Sequence, residues 1–303
     1  MMNVIFMGTP DYASEILKAL IGDSDINVVA VYTQPDRPVG RKKIMTPPIT
    51  KTVALENSIN VYQPSRLRDA EAVEELLQIA CDFIVVAAYG QILPKAVLDH
   101  APCINLHASI LPHYRGASPI QQALLNGDKE TGVTAMLMDV GLDTGAVLKI
   151  AKIAIADDEM VGSLFERLTV CAAALTIDVL KNFDMLTPVP QDDGVATHCT
   201  KITKQEGLVT FGDAAALYNR YRAFTPWPGV YLESGLKLKK IQLVESAESN
   251  RAGEILSIED AGVIVGCKKG SLRVELVQPA SKNEMSAIAY LNGKRLSLAD
   301  TLA

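Results

Sequence analysis

The first half of the chain repeats one pattern, a short apolar run rich in β-branched residues followed by a longer amphipathic stretch. This alternation restricts the fold more than any other feature. Runs this short read as strands, and amphipathic segments long enough to cross back set the next strand parallel to the last, so the pattern expects an α/β domain around a mostly parallel sheet. Strands are expected at Asn3 to Met7, Val28 to Thr33, Phe83 to Ala88, Cys103 to His107, Thr134 to Met138 and Val147 to Ile155. The best-marked helix follows Asp157-Asp158-Glu159, an acidic start that suits the helix dipole, and carries Leu164, Leu168, Cys171, Leu175 and Val179 along one face.

The pattern stops at Leu186-Thr187-Pro188-Val189-Pro190-Gln191-Asp192-Asp193-Gly194, where prolines, paired acids and a glycine end any regular element. Residues 1–186 are therefore expected to form a Rossmann-like domain, 187–203 a linker, and 204–303 a second domain. In the second, a short helix through Leu217, Tyr218, Tyr221 and Phe224 ends at Pro226-Trp227-Pro228-Gly229. Short strands then follow at Val230 to Glu233, Leu236 to Val244, Gly253 to Ile258, Gly262 to Cys267 and Ser271 to Val277, with a closing helix near Ser286 to Leu291, a pattern that suits a small OB-like β-barrel. Trp227, the only tryptophan, is expected as a hinge or core anchor, with a stacking platform for a nucleic-acid base as the alternative.

Chemistry concentrates in Ile104-Asn105-Leu106-His107-Ala108-Ser109-Ile110-Leu111-Pro112. Asn105 and His107 stand two apart at the end of an expected strand, so both side chains project from one face, near the crevice where open α/β sheets bind ligands. Asp139-Val140-Gly141-Leu142-Asp143-Thr144-Gly145 is a glycine-bracketed turn able to bring Asp143 to the pair. Taken singly, each has a plain structural reading. Together, an amide, an imidazole and a carboxylate suit acyl transfer between nitrogens: Asn105 and protonated His107 steady an oxyanion, while Asp143 holds the imidazolium and helps move the amine's proton. No nucleophilic side chain is needed.

The segment Asn105 to Pro112 with Arg115-Gly116, together with Gly141-Leu142-Asp143-Thr144-Gly145, resembles the signature of the 10-formyltetrahydrofolate-dependent formyltransferases. The resemblance implies that Asn105, His107 and Asp143 are catalytic, that Ser109, Ile110, Leu111 and Pro112 lie along the folate, and that 10-formyltetrahydrofolate is the co-substrate. The family pattern reads His-Gly-Ser-Leu-Leu-Pro, where this chain has Ala108 and Ile110. Further segments, Gly8 to Ala13, Tyr32 to Lys43, Val86-Ala87-Ala88-Tyr89-Gly90, Ala117 to Gln121 and Arg222 to Pro228, resemble the branch of that family whose acceptor is methionyl initiator tRNA, and extend the folate contacts to Tyr89 and Gly90. Residues 34–48, rich in proline and glycine, cannot be a helix and carry Arg37, Arg41, Lys42 and Lys43. The resemblance implies that this loop grips the tRNA acceptor stem through phosphate contacts.

Charge permits such a partner, and the second domain is expected to bind tRNA too, adding backbone contacts through residues such as Lys237, Lys239 and Lys240. Residues 204–303 hold 13 Lys and Arg against 11 Asp and Glu, a net +2, whereas the preceding residues hold 16 against 24, a net −8. Other readings fit less well. A nicotinamide-dependent dehydrogenase needs glycines where Pro10 and Ala13 stand, and an RNA-binding module without catalysis leaves Asn105, His107 and Asp143 unexplained. The four histidines, His100, His107, His113 and His198, lack metal-ligand spacing, so no metal is expected. Five scattered cysteines and the absence of a leader pattern or long apolar run point to a cytoplasmic protein without membrane contact; a monomer is expected, though neither feature bears on that.

Overall fold

The computed structural model describes residues 1–40, 42–245 and 247–302, and the chain divides into two packed units. One comprises residues 1–119, 130–154 and 164–199; the other comprises 120–129, 155–163 and 200–303. The second unit thus takes in two excursions from the first half of the chain. The sequence boundary was set by a proline-rich break, and periodicity carries no sign of which packed body such excursions join.

In chain order the elements are β1 (Met2–Gly8), α1 (Asp11–Gly22), β2 (Ile26–Tyr32), β3 (Arg37–Val39), β4 (Ile44–Thr46), α2 (Ile49–Glu56), β5 (Asn60–Tyr62), α3 (Ala70–Leu77), β6 (Phe83–Ala87), α4 (Lys95–Leu98), β7 (Cys103–His107), β8 (Arg115–Gly116), α5 (Pro119–Asn126), β9 (Glu130–Leu137), β10 (Val147–Ala154), α6 (Val161–Lys181) and β11 (His198–Cys199). The main sheet runs β10-β9-β7-β6-β1-β2-β5. Pairs from β7 to β5 are parallel, whereas β9 is antiparallel to both β7 and β10. Val4 to Met7 of β1 and Ile84 to Ala87 of β6 are buried, as expected of central strands covered on both faces. At one edge β10 exposes Lys149, a charge of the kind that discourages further pairing.

The order of the sheet reverses between β1 and β6, because β2 follows β1 on one side and β7 follows β6 on the other. The carboxyl ends at such a reversal form a crevice. Gly8 closes β1 there, and a Cβ on it would lie 2.5 Å from the Ala13 Cβ and 2.8 Å from the Ala87 carbonyl oxygen. Glycine therefore lets α1 approach β1 and β6 closely.

The second unit continues with α7 (Ala214–Phe224), β12 (Val230–Tyr231), β13 (Lys237–Glu245), β14 (Ile255–Glu259), β15 (Gly262–Gly266), β16 (Ser271–Gln278), β17 (Met285–Ser286) and α8 (Ala287–Lys294). Its sheet, ordered β12-β13-β16-β15-β14 with β17 also on β16, is antiparallel, as the turn-separated short strands lead one to expect. Three register shifts between β13 and β16 mark bulges, which bend a sheet. Among the described residues β14 and β12 do not pair, so the path stays open, the partly open arrangement of an OB-type barrel. Its core gathers Phe211, Leu217, Tyr221, Leu238, Val263, Leu272 and Leu291. Buried Arg222 ties in the 155–163 excursion by donating to the carbonyls of Ala156 and Glu159 at 3.3 and 3.2 Å.

Trp227 does not anchor the core. Ala223 and Phe224 at the end of α7 are buried in its stead, and the indole is 61% exposed. No helix among the described residues is long and apolar enough to cross a membrane.

Gly8→Ala should destabilise the chain by about 1–3 kcal/mol, the usual cost of overpacking a filled site. Thermal or urea unfolding checks this, and an unchanged midpoint would show that α1 can shift at no cost.

Candidate active site

Asn105 and His107 lie on β7 with one residue between them, and their side chains share a face. The register of the neighbouring strand extends that face, because Met136 pairs with Asn105 and Thr134 with His107. Since β9 runs antiparallel to β7, it exits at Leu137 beside Ile104. The following residues 138–146 then return along β7 to its carboxyl-terminal residues. Asp143 arrives by this route. Asn105 Nδ2 donates to Asp143 Oδ1 at 3.4 Å, and His107 Nδ1 lies 3.7 Å from Asp143 Oδ2.

Both His107 and the Asp143 carboxylate are nearly shielded, with side-chain exposures of 7% and 12%. A shielded carboxylate requires donors. The Gly116 backbone N–H supplies one to Oδ2 at 2.8 Å. On the far side of the ring, His107 Nε2 lies 2.9 Å from the Tyr114 carbonyl oxygen. A carbonyl only accepts, so Nε2 carries a hydrogen and Nδ1 is the ring nitrogen that faces Asp143.

Two backbone conformations maintain this arrangement. Asp143 and Tyr114 take left-handed φ values of 55° and 61°. Asp adopts that region more readily than most residues, and Tyr does so at greater cost. Glycine closes the Asp143 turn, for a Cβ at Gly145 would sit 1.7 Å from the Leu137 carbonyl oxygen.

The segment expected along a folate folds into a compact turn after β7. Ser109 is fully buried, its hydroxyl donating to the His113 carbonyl at 2.6 Å. Leu111 is also buried, and its N–H donates to Thr134 Oγ1 at 3.1 Å, while that hydroxyl donates to the Ser109 carbonyl at 2.6 Å. Only Ile110 and Pro112 keep partly open apolar surface, and His113 is exposed. Ser109 and Leu111 thus shape the turn, and Ile110 and Pro112 offer its surface. Thr134 had no sequence signal, being one β-branched residue within an apolar strand.

Tyr89 and Gly90 divide in the same way. The Tyr89 ring is buried among Tyr32, Leu67, Leu76 and Leu93, and burial raises its phenol above the ordinary range. Its carbonyl accepts from Thr9 Oγ1 at 3.2 Å and from Gln34 Nε2 at 3.1 Å. Gly90, at φ 80°, is exposed at the crevice beside Ala88, which is exposed at φ 49°. This stretch therefore presents main chain there, with the Tyr89 side chain turned inward.

The basic segment is not an irregular loop but a hairpin. β3 and β4 pair antiparallel, with Gly40 and Lys43 at positive φ in the turn. Arg37, Lys42 and Lys43 are exposed, as are Val39, Ile44 and Met45, and Arg41 lies outside the described residues. The base of the hairpin is tied down, because Lys51 Nζ lies 2.9 Å from both Asp36 oxygens and Gln63 Nε2 donates to Asp36 Oδ1 at 2.8 Å. Those bonds, Gln63's first and Lys51's second, hold the Asp36 carboxyl below the usual carboxylate range. Arg37 Nη2 donates to Gln34 Oε1 at 2.8 Å, linking the hairpin to the loop that carries Gly90.

Elsewhere, all five cysteines are free, and among the described residues no group of three or more His, Cys, Asp or Glu is placed to hold a metal ion. A cavity of about 500 Å³ in the second unit, lined by Ser234, Leu236, Met285, Tyr290 and Lys294 among others, contains none of the candidate residues.

Gly145→Ala should displace the turn and separate Asp143 from His107 well beyond 3.7 Å. A crystal structure of the variant checks this, and an unmoved carboxylate would refute the role given to the glycine.

Two family models match the chain, one described as formyl transferase over residues 2–180 and one as formyl transferase, C-terminal domain, over 201–295. The methionyl-tRNA formyltransferase of Sulfurimonas denitrificans is 65% identical over 302 residues, covering 100% of both chains. Those of a Nitratiruptor species and Campylobacter jejuni are 55% and 50% identical, covering 99% and 100% of each chain. Among solved structures, an N-formyltransferase from Helicobacter canadensis in complex with folinic acid and dTDP-3-aminofucose shares the fold at 18% identity, with TM-score 0.68 over 90% of this chain and 99% of that one. HypX from Aquifex aeolicus in complex with tetrahydrofolic acid matches 96% of this chain and 47% of its own at 15% identity and TM-score 0.60. With both units matched and full-length relatives at this identity, the chain belongs to the formyltransferase family, alongside the methionyl-tRNA formyltransferases.

Proposed function

We propose that this chain transfers the formyl group of 10-formyltetrahydrofolate to the free amino group of methionyl initiator tRNA, giving N-formylmethionyl-tRNA for translation initiation in the cytoplasm. The observation that most supports this reading is the meeting of Asn105 and His107 with Asp143 at 3.4 and 3.7 Å on one face of β7. The full-length likeness to methionyl-tRNA formyltransferases selects the acceptor.

The folate supplies the formyl group as an amide on one of its nitrogens. Beside the three polar groups, Ile110 and Pro112 offer apolar surface and Ala88 and Gly90 offer exposed main chain, a combination that fits a flat ring edged with hydrogen-bonding groups. Asn105 Nδ2 and, with His107 in its protonated form, Nδ1 donate to the oxygen on which negative charge gathers as the amine attacks. With Nε2 committed to the Tyr114 carbonyl, the ring cannot turn over and Nδ1 keeps its aim. Asp143 faces that nitrogen and takes up the amine's proton, directly or through one water; as the tetrahedral intermediate collapses the bond from the formyl carbon to the folate nitrogen breaks, and that nitrogen takes the proton and leaves as tetrahydrofolate. Arg37, Lys42 and Lys43, with Arg41, contact phosphates of the acceptor stem, and the exposure of Arg37, Lys42 and Lys43 on an anchored hairpin suits that role. In the second unit Lys239 and Lys240 are paired with Glu284 and Glu275, so the hairpin is the better-suited cationic surface.

Labelled 10-formyltetrahydrofolate offered in parallel to charged initiator tRNA, glycinamide ribonucleotide and an amino sugar tests the acceptor. Transfer to the tRNA alone is expected, and transfer only to another acceptor would overturn the proposal. Asn105→Ala should lower kcat by about 100- to 1000-fold, as loss of one oxyanion donor does. His107→Ala and Asp143→Ala should nearly abolish turnover with the fold intact by circular dichroism, and near-normal rates in either would remove these residues from the chemistry. Replacing Lys42 and Lys43 by Ala should raise KM for tRNA and flatten its log–log salt dependence by about one per lost phosphate contact. An unaltered slope would exclude the hairpin from the tRNA interface.

A further inference from the structure

Between Thr187 and His198 nearly every residue is exposed, and only Gln191 and Ala196 are shielded. This is the stretch whose composition reads as a linker. Its course is set by main-chain bonds at both ends. Val189 and Val147 exchange N–H to carbonyl bonds of 2.8 Å in each direction. Farther along, Arg115 donates to the Thr197 carbonyl at 2.9 Å, Thr197 to the Pro112 carbonyl at 3.2 Å, and β11 pairs with β8. The segment is a strap laid beside the candidate site, and the Gln191 side chain reaches inward from its middle.

All four hydrogen-bonding positions of the Gln191 carboxamide are used. Nε2 donates to the carbonyl of Asp143 at 2.9 Å and to that of Gly145 at 2.7 Å. Oε1 accepts from Arg115 Nε at 3.0 Å and Nη2 at 2.9 Å. Arg115 is buried and also pairs with Asp193 at 2.8 Å. Its main chain lies between Tyr114, whose carbonyl holds His107, and Gly116, whose N–H holds Asp143. One side chain therefore joins both loops that flank the imidazole.

We propose that Gln191 is a positioning residue for the transfer reaction: by binding the carbonyls of Asp143 and Gly145 while anchored on Arg115, it holds the Asp143 carboxylate against His107 and Asn105. This rests on the catalytic reading of Asp143 given above. The turn has internal bonds of its own, from Gly141 N and Thr144 Oγ1 to Asp139 Oδ1 at 2.9 and 2.7 Å. Those close the turn but do not fix it to β7. The tether must also govern a residue at φ 55°, where release of the carbonyl permits return to ordinary φ and swings the carboxylate away.

A kinetic double-mutant cycle tests the proposal. Turnover is measured with both substrates saturating for the wild type, Gln191→Ala, Asp143→Asn and the double variant. Gln191→Ala should lower kcat by about 10- to 100-fold, the cost of a misplacement near 1 Å, with KM for folate and tRNA changed less than about 2-fold. In the Asp143→Asn background the same substitution should cost less than about 2-fold, because the carboxylate it positions is already gone. Gln191→Glu keeps an acceptor for Arg115, and so protects the fold, while setting a carboxylate against the two carbonyls. It should lose activity as Gln191→Ala does and carries the test if that variant unfolds. A kcat near the wild type in either Gln191 variant, a loss confined to KM, or penalties that multiply in the double variant would each overturn the proposal. Full activity in Asp143→Asn alone would instead overturn the catalytic reading, so the two failures are separable.

Discussion

The demanding step in this structure is to bring a carboxylate to a histidine in a place nearly closed to water. Asn105 and His107 come together at little cost, since one strand presents alternate residues on one face. Asp143 must travel from a different loop, enter a left-handed conformation and give up most of its hydration. Such a group is tolerated when donors replace the lost water, and the Gly116 N–H does so at 2.8 Å. Because β9 runs antiparallel to β7 and ends beside Ile104, the loop after it must come back along the sheet before Asp143 meets Asn105 and His107.

Around that carboxylate most polar contacts are made by groups that do not reach the open surface. Thr134 braces the turn after β7 through its hydroxyl, Ser109 spends its hydroxyl on a neighbouring carbonyl, and the Tyr114 carbonyl orients the imidazole. Each is satisfied locally, which leaves few alternative rotamers for the groups facing the crevice. A site built from main-chain atoms and buried hydroxyls is stiff, and stiffness lets hydrogen-bond donors wait at the position where charge will develop instead of moving there during the reaction.

Much of this was legible in the sequence, for reasons that differ from part to part. The central strands β1, β2, β6 and β7 are runs of apolar residues bounded by turns, so their limits fall within two residues of the expected ones. β5, with three residues, is too short to carry a period, and α5 and residues 155–163 join the second unit through packing that composition does not record. Asn105, His107 and Asp143 each have a plain structural reading alone and stood out through their combination and its resemblance to a family signature. Gln191 did not, since a glutamine between prolines and aspartates looks like any solvated linker residue until its four partners are known. Trp227 is exposed and the Tyr89 ring buried, the reverse of what was expected of each, for the same reason. Side-chain direction at the end of a helix or strand depends on which neighbour fills the core, and Phe224 fills it where Trp227 was expected.

The uneven charge of the chain bears on recognition. The residues before 204 carry a net charge of −8, yet Arg37, Arg41, Lys42 and Lys43 fall within one short segment of them. The acidic stretch before residue 204 repels a polyanion, and the basic hairpin within it, like the residues from 204 on with their net +2, offers an approach that is not penalised. Discrimination of this kind arises as much from the unfavourable orientations as from the favourable one. It is also screened over about 8 Å at physiological ionic strength, so an orienting effect of this kind acts in the final stage of approach, where, under the function proposed above, the hairpin and its anchored base at Asp36 and Lys51 would steer the end of the tRNA toward Asn105, His107 and Asp143.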